Sequence, residues 1–220
     1  RVKIRRQKAD GLVVDSVAGL ISTVQLGILE IHTWNATIDD LERPDRIVLD
    51  LDPGPGVPWA RVVEAARLIH RMLERVGLES FVKTSGGKGL HVVAPLTPGA
   101  SWDETGAFTR AVAETLALRQ PERFTATMTK TARPGKIYVD YLRNRRAAST
   151  VAVFWTRARP GVPVSMPLAW DELSPRVTAD RFTVATVPPK LAAGREDPWG
   201  SYPKVRQRLP KGSLEGAGSD

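Results

Sequence analysis

The sequence predicts an α+β fold, with mixed or antiparallel sheets flanked by helices. Two observations carry this. Apolar, β-branched runs alternate along the chain with segments whose apolar residues recur every three or four positions, so strands and helices interleave. Some neighbouring strand candidates also lie too close in sequence for a parallel crossover, which needs about a dozen residues or more.

The elements follow in order. Residues 11–30, GLVVDSVAGLISTVQLGILE, mix apolar and small residues at roughly helical spacing, and IHTW comes next. Arg46 to Leu51, RIVLDL, is a β-branched run between Pro44 and Pro53 and reads as a buried strand. Val62, Ala65, Ala66, Ile69, Met72, Leu73 and Val76 then repeat at helical spacing, with Pro58 near the start and Gly77 at the end. Ser80 to Thr84 and Leu90 to Leu96 read as strands joined by a glycine loop. A second helix carries Phe108, Ala111, Val112, Thr115 and Leu116 on one face, with Ser101 as its cap. After the basic connector KTARPGK, residues 137–142, IYVDYL, form another strand candidate. The rest is proline-rich with short strand-like pieces (TVAVFWTR, RFTVATV), and KGSLEGAGSD from Lys211 onward reads as a flexible tail or linker.

Composition narrows the chemistry. The 220 residues suffice for one large domain or two small ones with a proper core. No apolar run reaches the length of a membrane span, and RVKIRRQKAD lacks the apolar segment of a signal peptide. With no cysteine, thiolate metal sites and disulfides are excluded, so a metal needs carboxylate, imidazole or backbone oxygen. The same absence fits a cytoplasmic protein. The net charge of +8 comes mostly from arginines such as Arg5-Arg6, Arg143 with Arg145-Arg146, and Arg157 with Arg159. Such a surface favours phosphate backbones, and it equally serves solubility.

Three motifs point to a site. In Asp50-Leu51-Asp52-Pro53 the two carboxylates share one strand face, roughly 7 Å apart at the backbone. They repel unless a cation sits between them, and hard oxygen ligands suit magnesium or manganese. Asp140, in Val139-Asp140-Tyr141, is a second acid inside an apolar strand; it needs a metal or a salt bridge to Arg143 or Arg145. Three such carboxylates can hold two divalent ions about 4 Å apart, the arrangement that aligns an attacking oxygen with a leaving phosphate. In FVKTSGGKGLHVV (81–93) the spacing is not that of a Walker A loop. A glycine hairpin can still bring backbone N–H groups to a phosphate, with Lys88, Ser85 and His91 beside it. His91 on an apolar strand is equally consistent with a satisfied structural residue.

DLDPG (50–54), FVKTSGGKGLHVV (81–93), IYVDYLRN (137–144), RARPGVPVSMPLAWDEL (157–173) and DPWGSYPKVRQRL (197–209) together resemble the polymerase domain of bacterial DNA ligase D, in the archaeo-eukaryotic primase superfamily. The resemblance spans about Gly11 to Leu209. It implies a primase-polymerase (AEP) type catalytic core over residues 1–210 with a tail at 211–220. It implies a metal-dependent nucleotidyltransferase that adds ribo- or deoxyribonucleotides to DNA 3′ ends in non-homologous end joining. Two Mn2+ or Mg2+ ions would be held by Asp50, Asp52 and Asp140, the third serving the ion at the primer hydroxyl. Ser85, Lys88 and His91 would contact the triphosphate or sugar. His32 would stand near the nucleotide, although a core or helix-end histidine is as simple a reading. Arg157 and Arg159 would face the nucleotide, and Arg133 would lie in a loop that reorders on DNA binding; a solvated basic surface is the competing reading for all three. Implied partners are DNA ends with 3′ overhangs or gaps, nucleoside triphosphates, Ku and a ligase module, in a bacterial cytoplasm at the nucleoid and away from membranes.

The sequence departs from that pattern in two places. It begins at Arg1, without the preceding segment that in relatives carries basic residues for a DNA 5′-phosphate and for the triphosphate. FWTR (154–157) also stands where a tyrosine-serine pair is usual before the arginine. Two other functions compete: a nucleic-acid-binding module of the same fold with impaired catalysis, and a phosphatase of the haloacid dehalogenase type. The latter is disfavoured by Gly54 two residues after Asp52 and by a single aspartate on the last strand.

Overall fold

The computed structural model describes residues 12–178 and 180–210; Arg5-Arg6 and the tail at 211–220 lie outside them. Its centre is a six-stranded sheet of order β5-β6-β2-β4-β3-β8. The strands are β2 (Arg46–Pro53), β3 (Phe81–Thr84), β4 (Leu90–Pro95), β5 (Phe124–Thr125), β6 (Ile137–Asp140) and β8 (Pro167–Leu168). All neighbours run antiparallel except β5 with β6. A separate ribbon pairs β1 (His32–Trp34) with β7 (Ser149–Val151). Helices α1 (Val17–Gln25), α2 (Trp59–Arg75), α3 (Trp102–Arg119) and α4 (Val187–Ala192) complete the described elements. This is the mixed α+β arrangement the sequence predicts.

Strand alternation gives the sheet two different faces. Ile47, Leu49 and Leu51 of β2, Leu90 and Val92 of β4, and Val139 of β6 pack with the apolar stripes of α2 and α3 into the main core. Those stripes are what the helical spacing predicted, and α3 starts at a capping box. Ser101 accepts from the Glu104 backbone N–H at 3.2 Å, while the Glu104 carboxylate accepts from the Ser101 N–H at 2.7 Å. On the opposite face, Val48, Phe81 and Val93 are covered by Trp199 with Tyr202 and Val205. That apolar cover occupies one end of the face, and polar side chains occupy the other.

Three expectations need correction. The helix at residues 11–30 is confined to Val17–Gln25, where Ser16 caps it. The strand at 137–142 stops at Asp140, because the Leu142 N–H turns back to Asp140 Oδ1 at 2.9 Å. Of TVAVFWTR and RFTVATV, only Ser149–Val151 forms a ladder; the remainder makes single bridges, Thr156 to Val164 and Pro163 to Thr183. Phe154 and Val162 have positive φ angles of 59° and 43°, incompatible with continuous strands. No helix among the described residues is long and apolar enough to cross a membrane.

Candidate active site

The polar end of the second face is a cross-strand row. Register places Asp140 of β6 opposite Asp50 of β2, Asp50 opposite His91 of β4, and His91 opposite Lys83 of β3. Acid, acid, imidazole and ammonium thus stand side by side across four strands. Asp52, two residues beyond Asp50, faces the same way from opposite Tyr138. One oxygen from each of Asp50, Asp52 and Asp140 lies within 4.8 Å of the others.

The cluster carries more negative charge than its neighbours offset. Arg143 Nε contacts Asp50 Oδ2 at 3.3 Å and Asp140 Oδ2 at 3.1 Å. The salt bridge the sequence offered as an alternative to metal therefore exists, with the Arg143 side chain 39% exposed. Asp140 Oδ1 accepts from Tyr138 Oη–H and the Leu142 N–H. Asp52 has no hydrogen bond or ion pair among the described residues. His91 Nε2 lies 3.3 Å from Asp50 Oδ1, out of line for a hydrogen bond, so that oxygen lacks a donor.

The protonation equilibria follow. Burial raises the Asp50 carboxyl, but His91, then Arg143 and Lys83, more than reverse this and hold it at about 2. Burial, then the charges of Asp50 and Asp140, drive Asp52 up to about 7 against Arg143 and Arg133. Asp140 is raised, first by burial, with Arg143 opposing. His91 is pushed down, first by burial and then by Lys83, with Asp50 opposing. Burial takes Lys83 down to about 7; its Nζ donates to Val151 O at 3.0 Å and Ser165 Oγ at 2.7 Å. A carboxylate held near neutrality and an unbonded buried oxygen are what divalent cations would relieve, and an all-oxygen donor set suits hard ions.

Beside the row, the loop 85–89 is built around Ser85. Its buried Oγ accepts from the N–H groups of Gly87 and Gly89, both at 3.2 Å. Ser85 therefore orders the loop from inside. Gly89 seats the loop on β2: a Cβ there would lie 1.9 Å from Leu51 O. Gly86 takes a φ of 63°, and a Cβ on it would meet Arg157 Cγ at 2.7 Å. Arg157 Nη1 donates to Ser85 O at 2.8 Å, and Arg159 lies against Gly87. Both arginines wrap the glycine loop. Lys88 is exposed and, with Gly87, lines a cleft of about 390 Å³ that also takes in Pro53, Gly54 and Trp59.

The remaining candidates spread further. His32 sits on the β1–β7 ribbon with Nε2 2.9 Å from Glu30 Oε2. Arg133 stacks over the Tyr138 ring, 4.0 Å from its centroid, and donates to Met128 O. His70, given no role, bonds Ser80 Oγ and stacks on Trp170, which is structural. Sequence reasoning missed Lys83, Glu30 and Asn144. Lysine in a strand of apolar neighbours was the available signal for the first. The other two have little local signal, because the partners that fix their roles, Val48 for Asn144 and Ala158 for Glu30, lie about 100 or more residues away.

The family model for the LigD primase-polymerase domain matches residues 1–199. A multifunctional non-homologous end joining protein LigD from Pseudomonas aeruginosa is 48% identical over 200 residues, covering 90% of this chain and 24% of that protein. A bifunctional non-homologous end joining protein LigD from Bacillus subtilis is 33% identical over 177 residues, covering 80% of this chain and 29% of that one. The chain thus spans about a quarter of the length of these curated relatives. Among solved structures, the polymerase domain of Mycobacterium tuberculosis Ligase D in complex with DNA aligns with TM-score 0.77 and 32% identity, over 86% of this chain and 70% of that one.

Proposed function

The chain belongs to the LigD primase-polymerase domain family, and on that footing we propose that it is a metal-dependent nucleotidyltransferase extending DNA 3′ ends in non-homologous end joining. The observation that carries this is the meeting of Asp50, Asp52 and Asp140 within 4.8 Å, with no side-chain hydrogen bond or ion pair to Asp52 among the described residues. Residues 1–210 act as the catalytic unit and 211–220 as a tail. Substrates are ribo- or deoxyribonucleoside triphosphates and DNA ends with 3′ overhangs or gaps. The DNA complex of the solved relative supports DNA as partner. Ku and a ligase module act beside it, in the cytoplasm at the nucleoid. Family membership sets aside the phosphatase alternative.

Asp50, Asp52 and Asp140 are the residues that would hold two Mn2+ or Mg2+ ions. Bound divalent ions supply Lewis acidity at the attacking and leaving oxygens of an in-line displacement. The chain's own residues do the rest. Arg157 and Arg159 flank the glycine loop and offset triphosphate charge where it grows on the leaving pyrophosphate. His91, Arg143 and Lys83, beside Asp50 on the same sheet face, keep its carboxyl ionised. Ser85 keeps the loop N–H groups ordered, and Lys88 gives the loop an exposed positive charge. Tyr138 and the Leu142 N–H fix the rotamer of Asp140. Arg133, stacked on Tyr138, is the DNA contact in this reading.

The test is primer extension with one labelled ribonucleoside triphosphate and manganese, with and without a 5′-phosphate on the downstream strand. Asp50→Ala and Asp140→Ala are each expected to reduce incorporation to background with unchanged circular dichroism. Incorporation at wild-type level by either variant overturns the proposal. Steeply salt-dependent DNA binding by the wild type with no incorporation would instead identify a binding module.

A further inference from the structure

A carboxylate stands where triphosphate-binding cations are expected, and nothing in the chemistry of phosphate binding asks for it. Glu30 lies between α1 and β1, yet its side chain reaches the glycine-loop arginine. Its Oε2 is 2.9 Å from His32 Nε2 and 3.2 Å from Arg157 Nε, and its Oε1 accepts from the Ala158 N–H at 2.7 Å. Three contacts on one carboxylate join the ribbon strand β1 to the segment carrying Arg157 and Arg159. Arg157 continues the chain of contacts to the loop through Ser85 O. The carboxyl is held at about 2, first by the His32 hydrogen bond and, against burial, by the Ala158 N–H and Arg157, so Glu30 is ionised throughout the working range.

An acid this close to a bound triphosphate repels it, so on charge alone Glu30 weakens nucleotide binding. What it supplies is orientation. Arginine has a rotamer-rich side chain, and a guanidinium already fixed against a carboxylate loses less freedom on meeting its ligand. Arg157 Nε pairs with the Glu30 carboxylate at 3.2 Å without lining up for a hydrogen bond, while Nη1 donates to Ser85 O, so the guanidinium is held at two points before any nucleotide arrives.

Resting on the proposed nucleotidyltransferase reading, we infer that Glu30 is a positioning residue for the nucleotide site, fixing Arg157 and His32 against the glycine loop and thereby setting affinity for the triphosphate. It does not touch the carboxylate cluster, so it acts on nucleotide binding and leaves the chemical step alone.

Glu30→Ala, Glu30→Gln, Arg157→Ala and the double variant Glu30→Ala/Arg157→Ala separate the possibilities, measured by equilibrium binding of a fluorescent ribonucleoside triphosphate and by steady-state kinetics. Glu30→Ala is expected to raise Kd and KM about ten-fold, as losing a charge-assisted contact does, with kcat within about two-fold. In the Arg157→Ala background, removing Glu30 is expected to add less than about two-fold, since its partner is already gone. Should Glu30→Ala fail to fold, Glu30→Gln keeps an oxygen for the Ala158 N–H and a partner for His32; it is expected to raise Kd several-fold. Unchanged or tighter nucleotide binding in the folded variants overturns the inference, as do effects that multiply in the double variant. Wild-type incorporation by Asp50→Ala would sink the enzymatic reading instead, and the binding data would still decide the role of Glu30.

Discussion

Asp52 and Lys83 are each forced by burial away from their ordinary protonation, and each leaves a signature in stability. The folded state holds Asp52 up at about 7 against an ordinary 3.8. A raised carboxyl contributes stability while protonated and loses it as pH rises through the folded value. In the absence of divalent ions, Asp52→Asn is therefore expected to raise Tm at pH 8 by a few degrees, on the order expected for a domain of this size, with the gap closing towards pH 5. Thermal melts in chelator at both pH values check this, and no gap at pH 8 would mean that Asp52 is already paired. Lys83 is lowered to about 7 from 10.5. Between those values the unfolded chain binds the extra proton, so the lysine's contribution to stability rises with pH. Lys83→Met removes the donor to Val151 O and Ser165 Oγ, of which Ser165 keeps its bond to Thr84 O. The wild type's advantage over it is expected to widen from pH 7 to pH 9.5 in urea melts.

Among the elements, the short β6 explains how the acids meet. β2 pairs with β6 only from Asp50 to Pro53, while its other edge pairs with β4 from Arg46. Above Asp50 the backbone of Val48 lacks a strand neighbour, and Asn144 replaces it. Val48 N donates to Asn144 Oδ1 and Asn144 Nδ2 donates to Val48 O, both at 2.7 Å. One side-chain amide thus does the work of a strand residue, and lets the chain turn after Asp140 so that Arg143 faces the carboxylates. Asn144→Ala leaves both groups of Val48 buried and unpaired, so a loss of about 2–4 kcal/mol is expected in chemical denaturation. Ser101→Ala at the α3 cap is expected to cost only about 1 kcal/mol. Equal losses would mean that the amide plug is dispensable.

At the level of the whole molecule, one sheet face is given to folding and the other is divided between folding and chemistry. The helices cover the first completely, whereas Trp199, Tyr202 and Val205 cover only the end of the second that lies away from the carboxylates. A net charge of +8 surrounds this arrangement. DNA affinity is expected to fall steeply with salt, and Arg133→Ala to reduce the slope of log K against log salt by about one if it meets a phosphate. Fluorescence-anisotropy titrations at several salt concentrations measure this. An unchanged slope would leave Arg133 as the partner of Tyr138 alone.

The sequence by itself determined the four longer strands and two long helices of the core, and it picked out three acids on those strands; the two-residue edge strands β5 and β8 left no such pattern. Alternation in RIVLDL and IYVD marks Asp50, Asp52 and Asp140 as acids on otherwise apolar strands, since an isolated buried carboxylate is too costly to be incidental. Only the tertiary structure decided which residues stand around them. Cross-strand register put His91 and Lys83 in line with Asp50, and local spacing carries no record of register between distant strands. Glu30 reaches Ala158 and Asn144 reaches Val48 across 128 and 96 positions. Lys88, grouped by sequence with Ser85 and His91, is exposed while those two are buried. Periodicity reports which way a side chain faces; chain closure alone reports whom it meets.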